Sequence, residues 1–235
     1  MEALLAWGQV DPEDVVWVPA GSIGANLRLL MEGKGDVAYA FTTLWGGWYE
    51  AEAGPHGLAW IALDTEADPE GAQRYLAIQT DTVFGVLTTG TPSAHGVPAM
   101  SNISSYITRA ESDPEFVYHL VKWLDENHDL YKDAHPQAEF MTIDYLMTPA
   151  ETSFQPLHEG TVRYLEELGR WTPAHEARRQ QNIDLINRWM ETYQAALDMA
   201  DERGIEVSPE NEEWVELWDS YKEDLPVFRW FVGLD

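Results

Sequence analysis

Two short apolar runs on either side of an amphipathic stretch set the strongest limit on what this chain can fold into. Val15-Val16-Trp17-Val18 reads as a buried strand, and Ser22 as the cap of a helix whose Ile23, Leu27, Leu30 and Met31 share one face. Gly33 and Gly35 stop that helix, and Val37-Ala38-Tyr39-Ala40-Phe41 reads as a second strand. Strand, helix and strand fall within residues 15–41, near the size of a parallel crossover. The rhythm predicts an α/β fold with a parallel or mixed sheet.

Downstream, Trp60-Ile61-Ala62-Leu63 reads as a third strand, and Asp68-Pro69-Glu70 opens a short helix with proline in its first turn. Val83 to Leu87 and Tyr106-Ile107-Thr108 look like further strands, with a Gly, Pro and Ser-rich loop from Gly90 to Asn102 between them. From Ser112 the pattern becomes helical. Ser112 or Asp113 caps a helix whose expected buried stripe is Phe116, Leu120, Val121 and Leu124. Another helix runs from about Gly160 to Leu168. A long one from Pro173 to Arg203 has Ile183, Ile186, Met190, Tyr193 and Leu197 as its expected stripe. A final helix carries Trp214, Val215, Leu217, Trp218 and Tyr221. Two regions follow: 1–110 with the strands, and 111–235, helical.

Charge narrows the function classes. With 14 basic against 41 acidic residues the net charge is −27, which disfavours nucleic acid phosphates and anionic lipid as partners. So acidic a chain repels itself at low salt, and concentrated salt screens that repulsion, so the composition reads as salt-adapted; an acidic surface kept for solubility is the plainer reading. There is no cysteine, hence no disulfide, thiolate metal site or cysteine nucleophile. The N-terminus lacks the basic-then-apolar pattern of an export signal, and no apolar window is long enough to span a membrane.

Several residues are candidates for a site. Gly21 and Ser22 stand at a helix N-terminus after a strand, where free N–H groups favour an anion, although a serine cap needs no ligand. Thr42, Thr43, Trp45 and Trp48 follow the next strand and join hydroxyls to flat apolar walls, as a small-molecule pocket does; core packing of the tryptophans is the alternative. Tyr106 and Arg109 flank a later strand, and Arg109 can fork onto a carboxylate or pair with a surface acid. The seven histidines show no metal-ligand spacing, His128 and His135 included, and no nucleophile elbow is present. No cofactor and no catalysis are expected. Trp214, Trp218, Trp230 and Phe231 read as packing onto the long helix, with a partner-docking face as the alternative.

Four stretches carry a resemblance to a known family: Ala20-Gly21-Ser22 to Phe41, Phe116-Val117-Tyr118 to Leu124, Asp125-Glu126-Asn127-His128 to Pro136, and Leu157-His158-Glu159-Gly160 to Trp171. In this order they resemble the TAXI-type solute-binding receptors of TRAP transporters, over most of residues 1–200. The resemblance implies a periplasmic-binding-protein-like fold of type II, of which this chain is similar to the second lobe, the first lobe and export signal having no counterpart here. It implies a small organic acid as ligand, held in a cleft lined by the segment with Thr42, Thr43 and Trp45. The TRAP membrane subunits are the implied partners and the extracytoplasmic side the implied location of the complete protein. A stand-alone half-receptor that pairs with another chain is the competing expectation.

The charge generates one prediction. The thermal midpoint should rise from low to molar KCl, because screening relieves self-repulsion; an unchanged or falling midpoint in a salt series would leave the acidity as a solubility device.

Overall fold

Helices carry most of this mixed α/β protein, and the sheet among the described residues is a two-stranded antiparallel hairpin. The structure is a computed structural model that describes residues 1–42, 46–101, 105–231 and 233–234. The chain divides into two compact units, one of Met1–Tyr106 with Asn127–Thr142, the other of Ile107–Glu126 with Ile143–Asp235.

In the first unit, α1 (Glu2–Trp7) packs on α4 (Pro69–Ile78). Asp68 caps α4 by accepting from the Gly71 N–H at 2.8 Å, with Pro69 in the first turn, as its sequence predicts. Arg74 reaches from α4 to the open end of α1, donating Nε to the Ala6 carbonyl at 2.9 Å and Nη2 to that of Trp7 at 2.6 Å. The Ala6 carbonyl also accepts from the Gln9 N–H at 3.2 Å, and the guanidinium adds to that bond, meets the Trp7 carbonyl and suits the helix dipole. Between the two helices Ala3, Leu63 and Tyr75 are buried with Trp7, Phe84 and Met100 against them. The hairpin supplies the last two: β1 (Val83–Val86) pairs with β2 (Pro98–Ser101), Val83 opposite Ser101 and Val86 opposite Pro98. Pro98 stands at the first strand position, where a missing N–H costs least. A second cluster joins α2 (Ile23–Met31) to α3 (Gly47–Ala53) through Leu27, Trp48 and Ala51, with Ala40, Leu58 and Trp60 beside them.

The expected strand, helix, strand unit is realised only in its helix. Ser22 does cap α2, accepting from Ala25 N–H at 3.1 Å. Residues 15–18, 37–41 and 60–63 form no strand, and the parallel sheet is not found among the described residues. Apolar runs express a wish for burial, whereas a ladder needs a neighbour in register. Val16 remains 90 % exposed, and the run ends at Pro19, which has no N–H to give. Leu63 makes a single such bond, donating to the Pro98 carbonyl at 2.8 Å. The stretch 90–102, read as loop, contains β2. Residues 106–108, read as strand, are irregular and exposed, because the Thr108 hydroxyl meets that of Ser112 at 2.6 Å and Ser112 N–H donates to the Arg109 carbonyl.

The second unit is built on α8 (Glu159–Glu167), which crosses α5 (Pro114–Glu126) at Gly160. A Cβ at residue 160 would collide with the Pro114 carbonyl oxygen and lie 2.8 Å from both Tyr118 N and Val117 Cβ, so the helices meet backbone to backbone. This crossing turns α5: Val117 is buried, while Phe116 and Leu120, expected inside, are 61 % and 41 % exposed. Arg163 forks onto Glu115 at 2.5 and 2.9 Å, Lys122 donates to Glu167 at 2.7 Å, and Tyr164 donates to Asp125 at 2.7 Å. The Arg163 fork holds the Glu115 carboxyl below the usual range, and Lys122 with Tyr118 does the same for Glu167. On its other side α8 buries Leu165 against Met147 and Ala150 of α7 (Ile143–Thr152).

The long helix α9 spans Pro173–Arg203, as its sequence predicts, with Thr172 and His175 in a reciprocal cap and Gly204 ending it at a φ of 68°. Its buried residues are His175, Arg178, Asn182, Ala196 and Ala200 instead of the expected stripe, and Met190 is 64 % exposed. The reason is that α9 serves two partners: polar residues face α7, while alanines let α10 (Glu212–Lys222) approach with Trp214 and Leu217. Trp214 and Trp218 pack on α9 beside Tyr193.

Gly160→Ala should cost about 3 kcal/mol in urea unfolding followed by circular dichroism, since the new methyl meets backbone and not a movable side chain. A loss under about 0.5 kcal/mol would mean the crossing yields freely. Glu115 and Glu167 have folded pKa values depressed below the ordinary 4.5, so their contribution is present above that pH and fades as pH falls through the folded values. The stability gap between the native chain and Glu167→Gln should therefore narrow below about pH 4.5; a gap that stays constant to pH 3 would show that the pairs hold nothing.

Candidate functional site

In the first unit the hairpin tip, with the run Thr88-Thr89-Gly90-Thr91-Pro92-Ser93, returns to the end of the 37–42 segment. Thr42 Oγ1 lies 2.7 Å from Thr89 Oγ1, and Thr91 Oγ1 lies 3.1 Å from Ser93 Oγ. Gly90 sits between them at a φ of 99°, and a Cβ there would stand 3.0 Å from Thr42 Cβ. Both facts restrict that position to glycine. Two aromatic side chains hold the tip. Tyr49 donates its hydroxyl to the Gly90 carbonyl at 3.2 Å, and Trp60 donates its indole N–H to Ser93 Oγ at 3.1 Å. Trp48, buried at 1 % exposure, donates to the Phe41 carbonyl at 3.1 Å and packs edge-on against Trp60, which fixes the end of the segment bearing Thr42.

Counting protons shows what this arrangement can do. Two hydroxyls bonded to one another hold two protons and spend one on the bond, so each pair keeps one donor in hand. The Trp60 N–H fills a lone pair on Ser93 without consuming a hydroxyl proton. After its mutual bond each pair therefore offers one donor alongside its remaining acceptor lone pairs. The chemistry of the cluster suits a small polar ligand that exchanges hydrogen bonds with hydroxyls.

The other candidates are distributed differently. Gly21 is exposed and open, and the Ser22 hydroxyl is taken by its own helix. Thr43 and Trp45 lie outside the described residues. Tyr106 is 84 % exposed, and Arg109 is exposed and belongs to the second unit. Of the candidates among the described residues, Thr42 is the one brought into the hydroxyl cluster. Thr89, Gly90, Thr91, Ser93, Tyr49 and Trp60 were not picked out as site residues by sequence reasoning; the one signal was a hydroxyl-rich run at the end of a strand. The histidines carry structural bonds: His128 Nε2 meets the Ala138 carbonyl at 2.9 Å, and His135 Nδ1 accepts from Gln137 N–H at 3.1 Å. Among the described residues no three His, Asp or Glu side chains gather as metal ligands. No helix there is long and apolar enough to cross a membrane.

Residues 71–169 match the NMT1-like family, a periplasmic-binding-protein-like family related to solute-binding proteins. The match covers less than half of the chain and takes in the hairpin with its tip, α5 and α8. It is a family of binding proteins, and it carries the likeness to a periplasmic-binding fold. No curated protein and no solved structure matches the chain.

Proposed function

We propose that this chain is the solute-holding part of an extracytoplasmic receptor serving a TRAP-type transporter, and that it captures a small carboxylate or amino-acid-like acid without transforming it. The observation that carries this reading is the hydroxyl cluster around Gly90, where each of two hydroxyl pairs has one proton left to give after its mutual bond. The family match over 71–169 supports a solute-binding role, and the order of the TAXI-like stretches supports the transporter class. Thr42 and Thr89 are the residues proposed to meet the carboxylate, with Thr43 and Trp45 next along the same segment. Membrane subunits of the transporter are the proposed partners.

The reading of a stand-alone pairing module draws on a different observation: Val16 and Ile107 are each 90 % exposed in segments of strand-like composition. It predicts no solute affinity.

The test is calorimetry with glutamate and with succinate in molar KCl, where screening removes the repulsion between acid and protein. One of the two should bind, and Thr42→Val or Thr89→Val should each weaken it about five-fold, the worth of one hydroxyl bond near 1 kcal/mol. Absence of heat with both acids, or affinity indifferent to both substitutions, would defeat the assignment.

A further inference from the structure

In the second unit, residues 226–231 lie along the N-terminal half of α9 and end at the C-terminus of α7. Five contacts hold them. The Trp189 indole N–H donates to the Pro226 carbonyl at 2.8 Å. The Phe228 ring packs on Phe154 at 5.1 Å and on Trp189 at 5.0 Å. The Phe231 N–H donates to the Thr152 carbonyl at 2.8 Å, and its ring lies 3.7 Å from the Arg178 guanidinium carbon. Val227 and Arg229 turn outward to solvent. The segment thus reads as an extended peptide with aromatic anchors three residues apart, docked by its rings and one backbone bond at each end.

What lies in the same region of α9 and α7 is unusual for a core. Ser153, Arg178 and Asn182 are 3 %, 5 % and 2 % exposed, and Asn182 Nδ2 donates to the Ser153 carbonyl at 2.9 Å. A segment that was merely the last layer of a hydrophobic core would cover aliphatic groups, which could not bear uncovering. Asn182, bonded to the Ser153 carbonyl, and Arg178, whose Nη1 donates to the Glu151 carbonyl at 3.5 Å, tolerate it. Aromatic walls over a polar floor are the composition of a recognition groove.

We infer that the groove formed by Thr152, Phe154, Arg178, Asn182 and Trp189 is a binding site for an extended peptide bearing two aromatic residues three apart, and that residues 226–231 hold it closed in cis. The partner is a protein segment of that chemistry, for which the chain's own Pro226-Val227-Phe228-Arg229-Trp230-Phe231 is the template. This site is separate from the hydroxyl cluster of the first unit. Its occupant in cis lowers the apparent affinity of any occupant in trans by the fraction of time the groove stands open.

The experiment uses the full chain in molar KCl and a fluorescein-labelled peptide of residues 224–231, read by anisotropy. Phe228→Ala with Phe231→Ala removes the anchors from the strap and leaves the groove intact. The double variant should bind the peptide, the native chain at least roughly ten-fold more weakly, and adding Trp189→Ala to the double variant should abolish binding. Equal binding by native chain and double variant, or none by a double variant whose helical circular dichroism is native, would overturn the proposal. A native chain that dimerises with concentration in light scattering would assign the groove to a second copy and overturn the peptide partner. Should the double variant fail to fold, hydrogen exchange on the native chain decides. The Phe231 amide should exchange faster than the amides of α9, whereas exchange at the same rate would show that the strap never opens without unfolding.

Discussion

The closeness of α8 to α5 at Gly160 is the constraint from which the second unit follows. Because residue 160 has no side chain, the α5 backbone sits where a methyl would otherwise be. At that separation Arg163 reaches Glu115, Lys122 reaches Glu167 and Tyr164 reaches Asp125. Farther apart, each of these would be an exposed charge or hydroxyl of little worth. His158 caps α8 by accepting from the Gly160 N–H itself at 3.1 Å, so the same residue fixes the entry of the helix and its crossing. Five of the nine residues of α8 are buried, on a face toward α5 and a face toward α7. A helix buried on two sides cannot shift without disturbing both neighbours.

Helix boundaries were legible because their signals are local. Ser22 reads as a cap, Asp68 with Pro69 as a helix opening and Pro173 as a helix start, and a capped helix forms at each. Strand pairing was legible only at 83–87. The runs at 15–18, 37–41 and 60–63 have the composition of strands, yet composition names no partner, and β2 hid in a stretch whose Gly, Pro and Ser content spoke for loop. The phase of buried faces failed for the same reason. Periodicity in α5 and α9 was correct in spacing, but which side turns inward was decided by Gly160 and by the alanines at 196 and 200, through contacts far along the chain. Thr42 and Thr89 stand 47 residues apart, and no local pattern could join them.

The scarce cations show where this protein concentrates its favourable electrostatics. Arg74 closes α1, Arg163 and Lys122 join α5 to α8, and Arg179 binds Glu176 and the Leu157 carbonyl. Each sits at a junction between elements. With 41 acids against 14 bases, carboxylates outnumber basic side chains by 27. An exposed pair contributes about 0–1 kcal/mol, so these junction pairs cannot offset the repulsion of the remainder. Screening would relieve it, since at 1 M salt the Debye length of about 3 Å leaves only contact pairs in force.

The same scarcity bears on how the proposed site would hold an acid. A cation at the site would attract the ligand and equally every neighbouring carboxylate, whereas a hydroxyl proton acts only over contact distance and survives screening that removes longer-range fields. Hydroxyls bonded in pairs also need no ion partner while the site is empty, so they leave no buried charge to compensate. Their direction must then be set by something rigid. Tyr49 and Trp60 supply that by gripping the Gly90 carbonyl and the Ser93 hydroxyl from outside the run, and Trp48 fixes the segment that brings Thr42. In the proposed site the discriminating chemistry rests on side chains of modest polarity, and its precision on three aromatic residues that a reading of charges alone would pass over.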